Sequence, residues 1–574
     1  MIHPRRFAPA LLLVLLGPQL AHARPALRTV DAPAVYAAGM VSAADPRAAQ
    51  AGAEMLRAGG NATDAALATM FALSVVEPQS SGIGGGGFLV RGTASGQVDT
   101  FDGRETAPAA AGPDWWLSEG RPLSFADAQP GGKSVGVPGA VALAGAAHLR
   151  FGKLPWARVL RPAILLARNG FEVTPRLHRA LTVSSRTGAF DPRGRTLFYT
   201  PAGPPLAVGT RVRNPALARF LTHLARRGPD AFYTGFNQTA LVRAVNSAPH
   251  NPGAITAADV AGYAIQPREP LCGEYRTWRI CGMGPPSSGA TTVFAILKQV
   301  ERFDLGSLGP ESAAAWHILA ESMLLAYADR DRFLADPGYV SVPAAGLMDP
   351  AYLAARSALI DPARSLSLVT AGSPPGAQAL SRAAQPAGDE HGTSHFVAMD
   401  RRGDVVSFTN TIEGPFGSGV MVNGYYLNNE LTDFDFVPSR EGRPAANAAA
   451  GGKRPRSSMA PTLVYDPRGR LRLAIGAAGG ATIPAQVAKS IVGVIDWNLP
   501  AQAAIALPVL FAPGDSVFVE AGSTLEAMIP ALRALGHADV RPREMPLKAN
   551  AIEIVGGTVV GAADPRSEGA AIAQ

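Results

Sequence analysis

The stretch GTSHFVAMDRRGDVVSFTNTI, residues 392–412, contains two alternating apolar runs separated by three residues that end in glycine. This spacing predicts a β-hairpin with a three-residue loop whose glycine adopts the left-handed conformation. If Asp400 faces Asp404, the register places Thr393 opposite Thr411, with both hydroxyl groups on one face of the sheet.

The bond between Gly392 and Thr393 is a candidate for self-cleavage. A threonine at a new N-terminus would have a hydroxyl nucleophile, its own amine as the base and the Thr411 hydroxyl to orient it. These are the parts of an N-terminal nucleophile. The alternative is that both threonines are ordinary strand residues, because threonine favours strands.

The blocks around the hairpin resemble the gamma-glutamyltransferase (gamma-glutamyltranspeptidase) family, and they follow one another along nearly the whole chain. The matching blocks are GTSHF at 392–396, FGSG at 416–419, LNNELTDF at 427–434, KRPRSSMAP at 453–461, GG at 479–480, GGNATDAA at 59–66, SGIGGGGF at 81–88 and RETAP at 104–108. The resemblance implies the N-terminal nucleophile hydrolase fold, an α+β four-layer αββα sandwich formed jointly by two subunits cut from one precursor.

Local pattern alone indicates only an α/β or α+β chain. The predicted strand-rich regions are 393–412, 462–477 and 553–561, and the predicted helices are 45–76 with a break at 59–61, 154–170, 310–329, 482–495 and 524–535. The helices at 154–170 and 310–329 are expected to be amphipathic. The glycine run at 84–87 lacks the lysine of a phosphate-binding loop, so we interpret it as close backbone packing.

Cleavage before Thr393 would give a large subunit of residues 24–392 and a small catalytic subunit of residues 393–574. The segment 365–392 is rich in Ala, Gly, Pro and Ser, and it is predicted to be an exposed, flexible tail leading to the cut site. The two subunits are expected to stay paired, because a strand starting at Thr393 needs partners from the rest of the sheet.

The resemblance implies roles for four catalytic residues. Thr393 is the nucleophile, Thr411 orients it, and Gly479 and Gly480 supply backbone amides for the oxyanion, close to a predicted helix N-terminus. Taken alone, the two glycines indicate a tight turn with positive φ, and the two roles are compatible.

Six further residues match the family positions that bind the γ-glutamyl donor: Arg104, Glu413, Glu430, Asp433, Ser457 and Ser458. The arginine would grip the donor α-carboxylate together with the serines, and the acidic residues would face the donor ammonium. Without the resemblance, Arg104 could pair with Glu105 or another acid, the serines could cap a loop, and the acids could be solvated surface.

The sequence departs from the best-known members of the family in two places. Glu413 stands where many members have asparagine, as in a subset of bacterial members, so the ammonium contact is kept with more negative charge. The loop 438–456 contains no aromatic residue that could close over the donor. A more open site is expected, and the choice between water and amino-acid acceptors stays open.

Composition limits the compartment and the partners. With 47% hydrophobic and 17% charged residues, the 574-residue chain can bury a large core, and its net charge of +7 is spread over scattered arginines, which argues against a nucleic-acid partner. Paired arginines, an apolar run and the small-residue site at 21–23 predict a signal peptide over residues 1–23 and export, to a bacterial periplasm. No later segment reaches the roughly 20 apolar residues of a membrane span, so no membrane anchor is predicted.

The only two cysteines, Cys272 and Cys281, lie in a stretch that alternates like a short hairpin. In an oxidising compartment they could form a cross-strand disulfide, and two free buried thiols are the alternative. A metal pair is disfavoured because no further cysteine or histidine lies nearby.

The resemblance therefore implies an exported, self-processing enzyme that takes the γ-glutamyl group of glutathione or a related amide onto Thr393 and passes it to water, amino acids or peptides. No metal or organic cofactor is expected, because the N-terminal amine serves as the base. One alternative is a related acylase acting on glutaryl or cephalosporin side chains, which would not require a donor ammonium. The other is a non-catalytic periplasmic binding protein, which would not cut itself.

Overall fold

Two antiparallel sheets stack face to face with helices on both outer sides, which confirms the α+β, four-layer αββα architecture. The computed structural model describes Met1 and residues 36–377, 392–440 and 442–574. Residues 2–23 of the predicted signal and residues 378–391 of the predicted tail lie outside the described residues. Within the described ranges, no helix has both the length and the apolar character needed to cross a membrane.

The two sheets contain thirteen strands among the described residues. In chain order they are β1 (Met40–Ala43), β2 (Gly86–Gly92), β3 (Val98–Gly103), β4 (Gln266–Arg268), β5 (Leu271–Tyr275), β6 (Trp278–Gly282), β7 (Ser394–Met399), β8 (Val405–Thr411), β9 (Thr462–Tyr465), β10 (Leu471–Ala478), β11 (Lys548–Val555), β12 (Thr558–Ala563) and β13 (Ala570–Ala573). The first sheet has the order β13-β1-β7-β8-β2-β3-β4, and the second has the order β12-β11-β10-β9-β6-β5.

Helices of eight or more residues in the described ranges form the outer layers. They are α1 (Pro46–Arg57), α2 (Ala62–Val76), α3 (Ala140–Phe151), α4 (Trp156–Asn169), α5 (Pro175–Val183), α6 (Pro215–Arg227), α7 (Gly235–Asn246), α8 (Gly289–Val300), α9 (Ala313–Phe333), α10 (Pro350–Ser357) and α11 (Ile483–Ile495). Helices α1 and α2 pack on the first sheet, and α8 and α11 pack on the second.

Strand β7 shows why the layers form. Successive side chains of a strand point to opposite faces, so Phe396 and Ala398 join the core beneath α1 and α2. Val397 and Met399 join the core between the two sheets. All four side chains are fully buried, so this strand is covered on both faces.

The predicted hairpin is confirmed. Strands β7 and β8 pair from Ser394 with Asn410 to Met399 with Val405, and continuing this register by one residue brings Thr393 opposite Thr411. In the loop, Gly403 has φ +85°, the left-handed value that a glycine adopts without a steric penalty.

Strands from the two sides of the Gly392–Thr393 bond alternate within the first sheet. Strands β7, β8 and β13 follow this bond in sequence, and β1 to β4 precede it. Strand β1 lies between β13 and β7, and β8 pairs with β2. The two parts of the chain therefore share one sheet and cannot be separate domains.

Most helix predictions are confirmed with small changes in their bounds, but two need correction. The predicted amphipathic helix at 310–329 is α9, which is buried on nearly all sides because the strand Leu510–Phe511 and the helix Ile529–Ala534 cover its outer face. The predicted helix at 524–535 is a 3-10 turn, Thr524–Met528, followed by that short α-helix.

Close packing explains the glycine run, as predicted. A Cβ atom at Gly85 would lie 1.9 Å from the carbonyl oxygen of Thr411, and one at Gly84 would lie 2.0 Å from that of Tyr426. The backbone of this run thus lies directly against the end of β8 and against Tyr426. Elsewhere, β5 and β6 form the hairpin suggested for the cysteines, and a disulfide joins Cys272 to Cys281.

Candidate active site

A small cavity lies at the end of the hairpin, where the two sheets meet. It is lined by Arg104, Thr393, Thr411, Glu413, Glu430, Asp433, Ser457, Ser458, Met459, Gly480 and Ile483. Nine of these residues were singled out from the sequence, and they come from segments hundreds of residues apart. Of the predicted catalytic residues, Gly479 does not line the cavity.

The two threonine hydroxyl groups are in direct contact. Thr393 Oγ1 and Thr411 Oγ1 are 2.8 Å apart, and Thr411 Oγ1 also accepts a hydrogen bond of 2.8 Å from the backbone N–H of Glu413. The backbone N–H of Thr393 donates to the carbonyl oxygen of Ser80 at 2.6 Å. These contacts fix the position of the Thr393 hydroxyl group beside its own peptide bond.

The backbone at the Gly392–Thr393 bond is tightly constrained. Thr393 has φ +81°, which is a strained conformation for a β-branched residue and is worth about 1–3 kcal/mol. A Cβ atom at position 392 would lie 1.8 Å from the carbonyl oxygen of Glu413, so only glycine fits there without movement.

The second sheet brings Gly480 to the cavity that Thr393 also lines. Strand β10 crosses the hairpin at Gly476, where a Cβ atom would lie 2.4 Å from the ring of His395. The strand then ends, Gly479 and Gly480 take φ values of +123° and +56°, and α11 begins three residues later. The turn predicted for the glycine pair is therefore present, and Gly480 lies in the cavity just before a helix N-terminus.

His395, two residues after Thr393 in sequence, is not placed for acid–base chemistry. Its Nδ1 lies 2.8 Å from Thr409 Oγ1, and its ring is fully buried between the sheets. Burial lowers the pKa of His395 to about 3, so the ring stays neutral.

Arg104 follows directly after β3 and is almost completely buried. Its Nε donates to the carbonyl oxygen of Pro455 at 3.1 Å, and its Nη2 donates to that of Arg456 at 2.8 Å. The guanidinium also pairs with the carboxylates of Glu430 and Asp433. The salt bridge considered as an alternative from the sequence is therefore present, with acids on the 3-10 turn Glu430–Asp433 as its main partners.

Acidic side chains cluster around Arg104. Glu105 is fully buried, and its carboxylate lies 3.9 Å from Arg104, while Glu413 accepts a hydrogen bond from the Asn429 amide. Burial raises the pKa of Glu105 to about 7 and also raises the pKa of Glu430, although the neighbouring Arg104 opposes both shifts. A cation bound here would therefore contact carboxylates that are poorly solvated and only partly neutralised by Arg104.

A second arginine, which the sequence analysis missed, holds the serine pair. Arg330 Nη2 donates to Ser458 Oγ at 2.6 Å, and its Nε donates to Ser288 Oγ at 3.0 Å. Ser288 in turn donates its hydroxyl to the carbonyl oxygen of Ser457 at 2.7 Å. Because these contacts join α9 to a loop more than 100 residues away, no local pattern could have shown them.

The loop 438–456 positions one of the acids. It contains a short ladder of Ser439–Arg440 with Arg443–Pro444. Asn447 Nδ2 donates to the carbonyl oxygen of Asp433 at 2.6 Å, and Asn447 Oδ1 accepts from the backbone N–H of Arg456 at 2.8 Å.

A buried charged network lies under the start of β7. Lys548 Nζ donates to Glu77 Oε2 at 3.1 Å, Ser80 Oγ at 3.2 Å and Ser394 Oγ at 3.3 Å. Burial lowers the pKa of Lys548 to about 8, although Glu77 opposes the shift. The network therefore holds Ser394, which follows Thr393, and Ser80, whose carbonyl oxygen accepts the Thr393 N–H.

Comparison with known proteins identifies the family to which the chain belongs. The chain matches the family model described as gamma-glutamyltranspeptidase over residues 48–574. It is 39% identical over 550 residues to the acylase ACY 1 proenzyme of Pseudomonas sp. (strain SE83), with 94% of each chain covered. It is 36% identical over 549 residues to the glutathione hydrolase proenzyme of Bacillus subtilis (strain 168), covering 93% of this chain and 91% of that protein.

Among solved structures, the chain resembles the cephalosporin acylase from Bacillus halodurans. The TM-score is 0.82 at 27% sequence identity, and the match covers 97% of this chain and 99% of that chain. Both sequence relatives are described as proenzymes, and their names refer to two different activities.

Proposed function

Since the chain belongs to the gamma-glutamyltranspeptidase family of N-terminal nucleophile hydrolases, we propose that it is a precursor that cuts itself at Gly392–Thr393 and then works as a gamma-glutamyltransferase and glutathione hydrolase. The observation that carries the proposal is one cavity in which a paired threonine hydroxyl group lies with a buried arginine and several acidic side chains. A γ-glutamyl donor presents a carboxylate, an ammonium and an amide. These groups are complementary to the arginine, the acidic side chains and the threonine hydroxyl group, in that order.

The self-cleavage step uses groups already in contact. Thr393 Oγ1 attacks the carbonyl carbon of Gly392, the peptide C–N bond breaks as the C–O bond forms, and the hydroxyl proton passes to the departing Thr393 amine. Water then hydrolyses the ester, which releases the Gly392 carboxylate and the free threonine. Thr411 orients the attacking oxygen at 2.8 Å, and the strained φ at Thr393 is relieved when the bond breaks.

In turnover, the Thr393 amine is the general base. It takes the hydroxyl proton while Oγ1 attacks the γ-carbonyl of the donor, and it returns that proton to the departing amine. Backbone amides at Gly479 and Gly480 stabilise the oxyanion at the start of α11. Water or an amino compound then attacks the acyl-enzyme, which gives hydrolysis or transfer.

Donor recognition divides between the two ends of the α-amino acid. Arg104, with Ser457 and Ser458, would bind the α-carboxylate, and Glu430 and Asp433 would bind the ammonium. Because the arginine already pairs with these acids, a bound donor would exchange that ion pair for two new ones. Glu413 adds further negative charge at the same end of the cavity.

We also propose that residues 1–23 are a signal peptide that directs export to the periplasm, and that residues 24–392 and 393–574 remain associated after the cut. The alternation of their strands in one sheet supports the association. Separation of the two fragments would leave β1 without either of its sheet neighbours and β7 without one of its two.

The cleavage step can be tested with two variants of the nucleophile. Thr393→Ala should remain a single chain, because no hydroxyl group is left to attack the carbonyl carbon. Thr393→Ser keeps the hydroxyl group and should still divide into two fragments. Denaturing electrophoresis and intact mass give the outcome, and a Thr393→Ala variant cut at the same bond would refute the mechanism. An uncut wild-type protein would favour the non-catalytic binding protein.

An acylase is the second candidate, and the 39% identity to the acylase ACY 1 proenzyme favours it. The matching test compares kcat/KM for a γ-glutamyl anilide and a glutaryl anilide, which differ only in the ammonium group. We expect kcat/KM to be higher for the glutamyl substrate by roughly 100-fold or more. The glutaryl substrate lacks the ammonium group, and without it the buried carboxylates have no counter-charge. Asp433→Asn should shrink this ratio by harming the glutamyl substrate, and equal wild-type values would favour the acylase.

A further inference from the structure

A second cluster of chemically active side chains lies on the far side of the second sheet's helices. His317 and Glu321 are one helical turn apart on α9, and His537 follows the short helix Ile529–Ala534. All three side chains are buried, and one nitrogen or oxygen atom of each lies within 4.8 Å of the corresponding atoms of the others. The cluster contains no residue of the proposed active site.

The hydrogen bonds of the two histidines fix their protons. His317 Nε2 lies 2.9 Å from the carbonyl oxygen of Asp361, which can only accept, so Nε2 carries the hydrogen. A neutral His317 then accepts at Nδ1, and the contact of 2.8 Å with His537 Nε2 requires the latter to donate. His537 Nδ1 is consequently left with a bare lone pair.

That lone pair faces another electron-rich atom. His537 Nδ1 lies 3.8 Å from Glu321 Oε1, which is buried and has no hydrogen-bond partner in the described part of the chain. The other carboxylate oxygen, Oε2, accepts from the backbone N–H of Leu366 at 2.9 Å. Two atoms with unshared electron pairs therefore lie at a distance too long for a hydrogen bond.

We propose that His317, Glu321 and His537 form a binding site for a divalent transition-metal ion of the zinc class. Two imidazoles and one carboxylate are a ligand set that Zn²⁺ uses, with bonds of roughly 2.0–2.2 Å. Two such bonds span up to about 4.2 Å, so one ion bridges the gap of 3.8 Å. His317 supplies the third ligand atom, since one ligand atom of each of the three residues lies within 4.8 Å of those of the other two.

The surrounding contacts are those of a supported metal site. Ligand histidines usually donate their second ring N–H to a carbonyl or carboxylate, and His317 does so to Asp361. The carboxylate of Glu321 is anchored by Leu366, so the 361–366 segment covers the site from one side.

The site would have a structural consequence. His317 and Glu321 precede the Gly392–Thr393 bond in sequence, and His537 follows it. An ion bound by all three would link the two parts of the chain outside their shared sheet. Its binding would stabilise the folded protein, because the unfolded chain offers no preformed site.

The test is direct metal binding to the purified full-length protein after removal of any affinity tag and treatment with a chelator. Titration with Zn²⁺ by calorimetry should show one site per chain, Co²⁺ should give the visible absorption of a low-symmetry complex, and Zn²⁺ should raise Tm. His537→Gln and, separately, Glu321→Gln should weaken binding by more than about 100-fold, since even supporting contacts are worth 10–100-fold. His250→Gln, which changes an exposed histidine, is the matched control and should bind as wild type does.

Two results would overturn the proposal. The first is wild-type protein that binds neither ion and shows no change in Tm, which would identify the cluster as a purely hydrogen-bonded one. The second is a well-folded His537→Gln or Glu321→Gln protein with wild-type affinity. None of these measurements depends on the activity of the enzyme, so the outcome is independent of the proposed function.

Discussion

Replacing Gly392 with alanine should block self-cleavage even though the nucleophile is untouched. The added Cβ would lie 1.8 Å from the carbonyl oxygen of Glu413, whereas real Cβ contacts are essentially never shorter than 3.0 Å. The difference, 3.0 − 1.8 = 1.2 Å, is the least movement required of residue 392 or of the Glu413 backbone. Both bear directly on the reaction, because residue 392 carries the scissile carbonyl group and the Glu413 N–H holds Thr411.

The expected magnitude follows from the geometry of attack. A misplacement of about 1 Å between reacting groups is worth roughly 100-fold in rate, so Gly392→Ala should cleave at least about 100 times more slowly than wild type. The expected effect comes from the steric contact between the added Cβ atom and the Glu413 carbonyl oxygen.

The assay follows the uncut fraction with time by denaturing electrophoresis and intact mass. Gly112→Ala is the matched control, because a Cβ atom there has no heavy atom within 4 Å and the residue has φ −131°. Wild-type Tm for uncut Gly392→Ala would show that the chain is folded. Cleavage of Gly392→Ala within about threefold of the wild-type rate would refute the claim that contact with Glu413 positions the scissile bond.

Three further predictions concern binding and stability. Arg104→Lys should still cut itself but lose about 1.5–3 kcal/mol of donor recognition, seen mainly as a higher KM with a γ-glutamyl anilide; unchanged kinetics would assign the arginine a structural role. Burial raises the pKa of Glu105 from 4.5 to about 7, so its contribution to stability is fully present below pH 4.5 and is lost as the pH rises through 7. The free energy of unfolding of Glu105→Gln, measured with denaturant, should therefore rise relative to that of wild type by up to about 3 kcal/mol between pH 5 and pH 8. The same difference between the two proteins at both pH values would contradict this. Reducing the Cys272–Cys281 disulfide, which joins residues 9 apart, should remove about 2–3 kcal/mol of unfolding free energy, while a Cys272→Ser/Cys281→Ser double variant should not respond to reductant.

Local features of the fold were predictable because they depend on neighbouring residues. The hairpin register follows from strand alternation and one loop glycine, and the helix pair α1 and α2 follows from its break at Gly59-Gly60-Asn61. The burial of α9 on nearly all sides was not predictable, because the elements that cover its outer face come from residues beyond 500. The sequence of α9 predicts an amphipathic helix, whereas a helix that is covered on all sides needs no polar face.

The candidate site shows the same division. The hairpin register and the family resemblance together indicated nine of the cavity residues, but not the contacts that hold them, such as Arg330 on Ser458 or Lys548 on Ser394. Such partners meet only after the two sheets stack, and single charged residues distributed along a chain give no pattern that pairs them. The roles of the cavity residues stay predictions until the variants are measured.

The contact of Arg104 with Glu430 and Asp433 ties together the two halves of donor recognition. A ligand that carries only a carboxylate would draw the guanidinium away from its acids and leave them buried without a counter-charge. A ligand with both a carboxylate and an ammonium restores the balance, because each protein charge finds a new partner as the old pair opens. In the proposed enzyme, selectivity for a glutamyl over a glutaryl group therefore follows from the internal ion pair of the cavity. An acylase that shares this fold would have to lose one of the two acids, or keep them neutral, to accept a substrate without an ammonium.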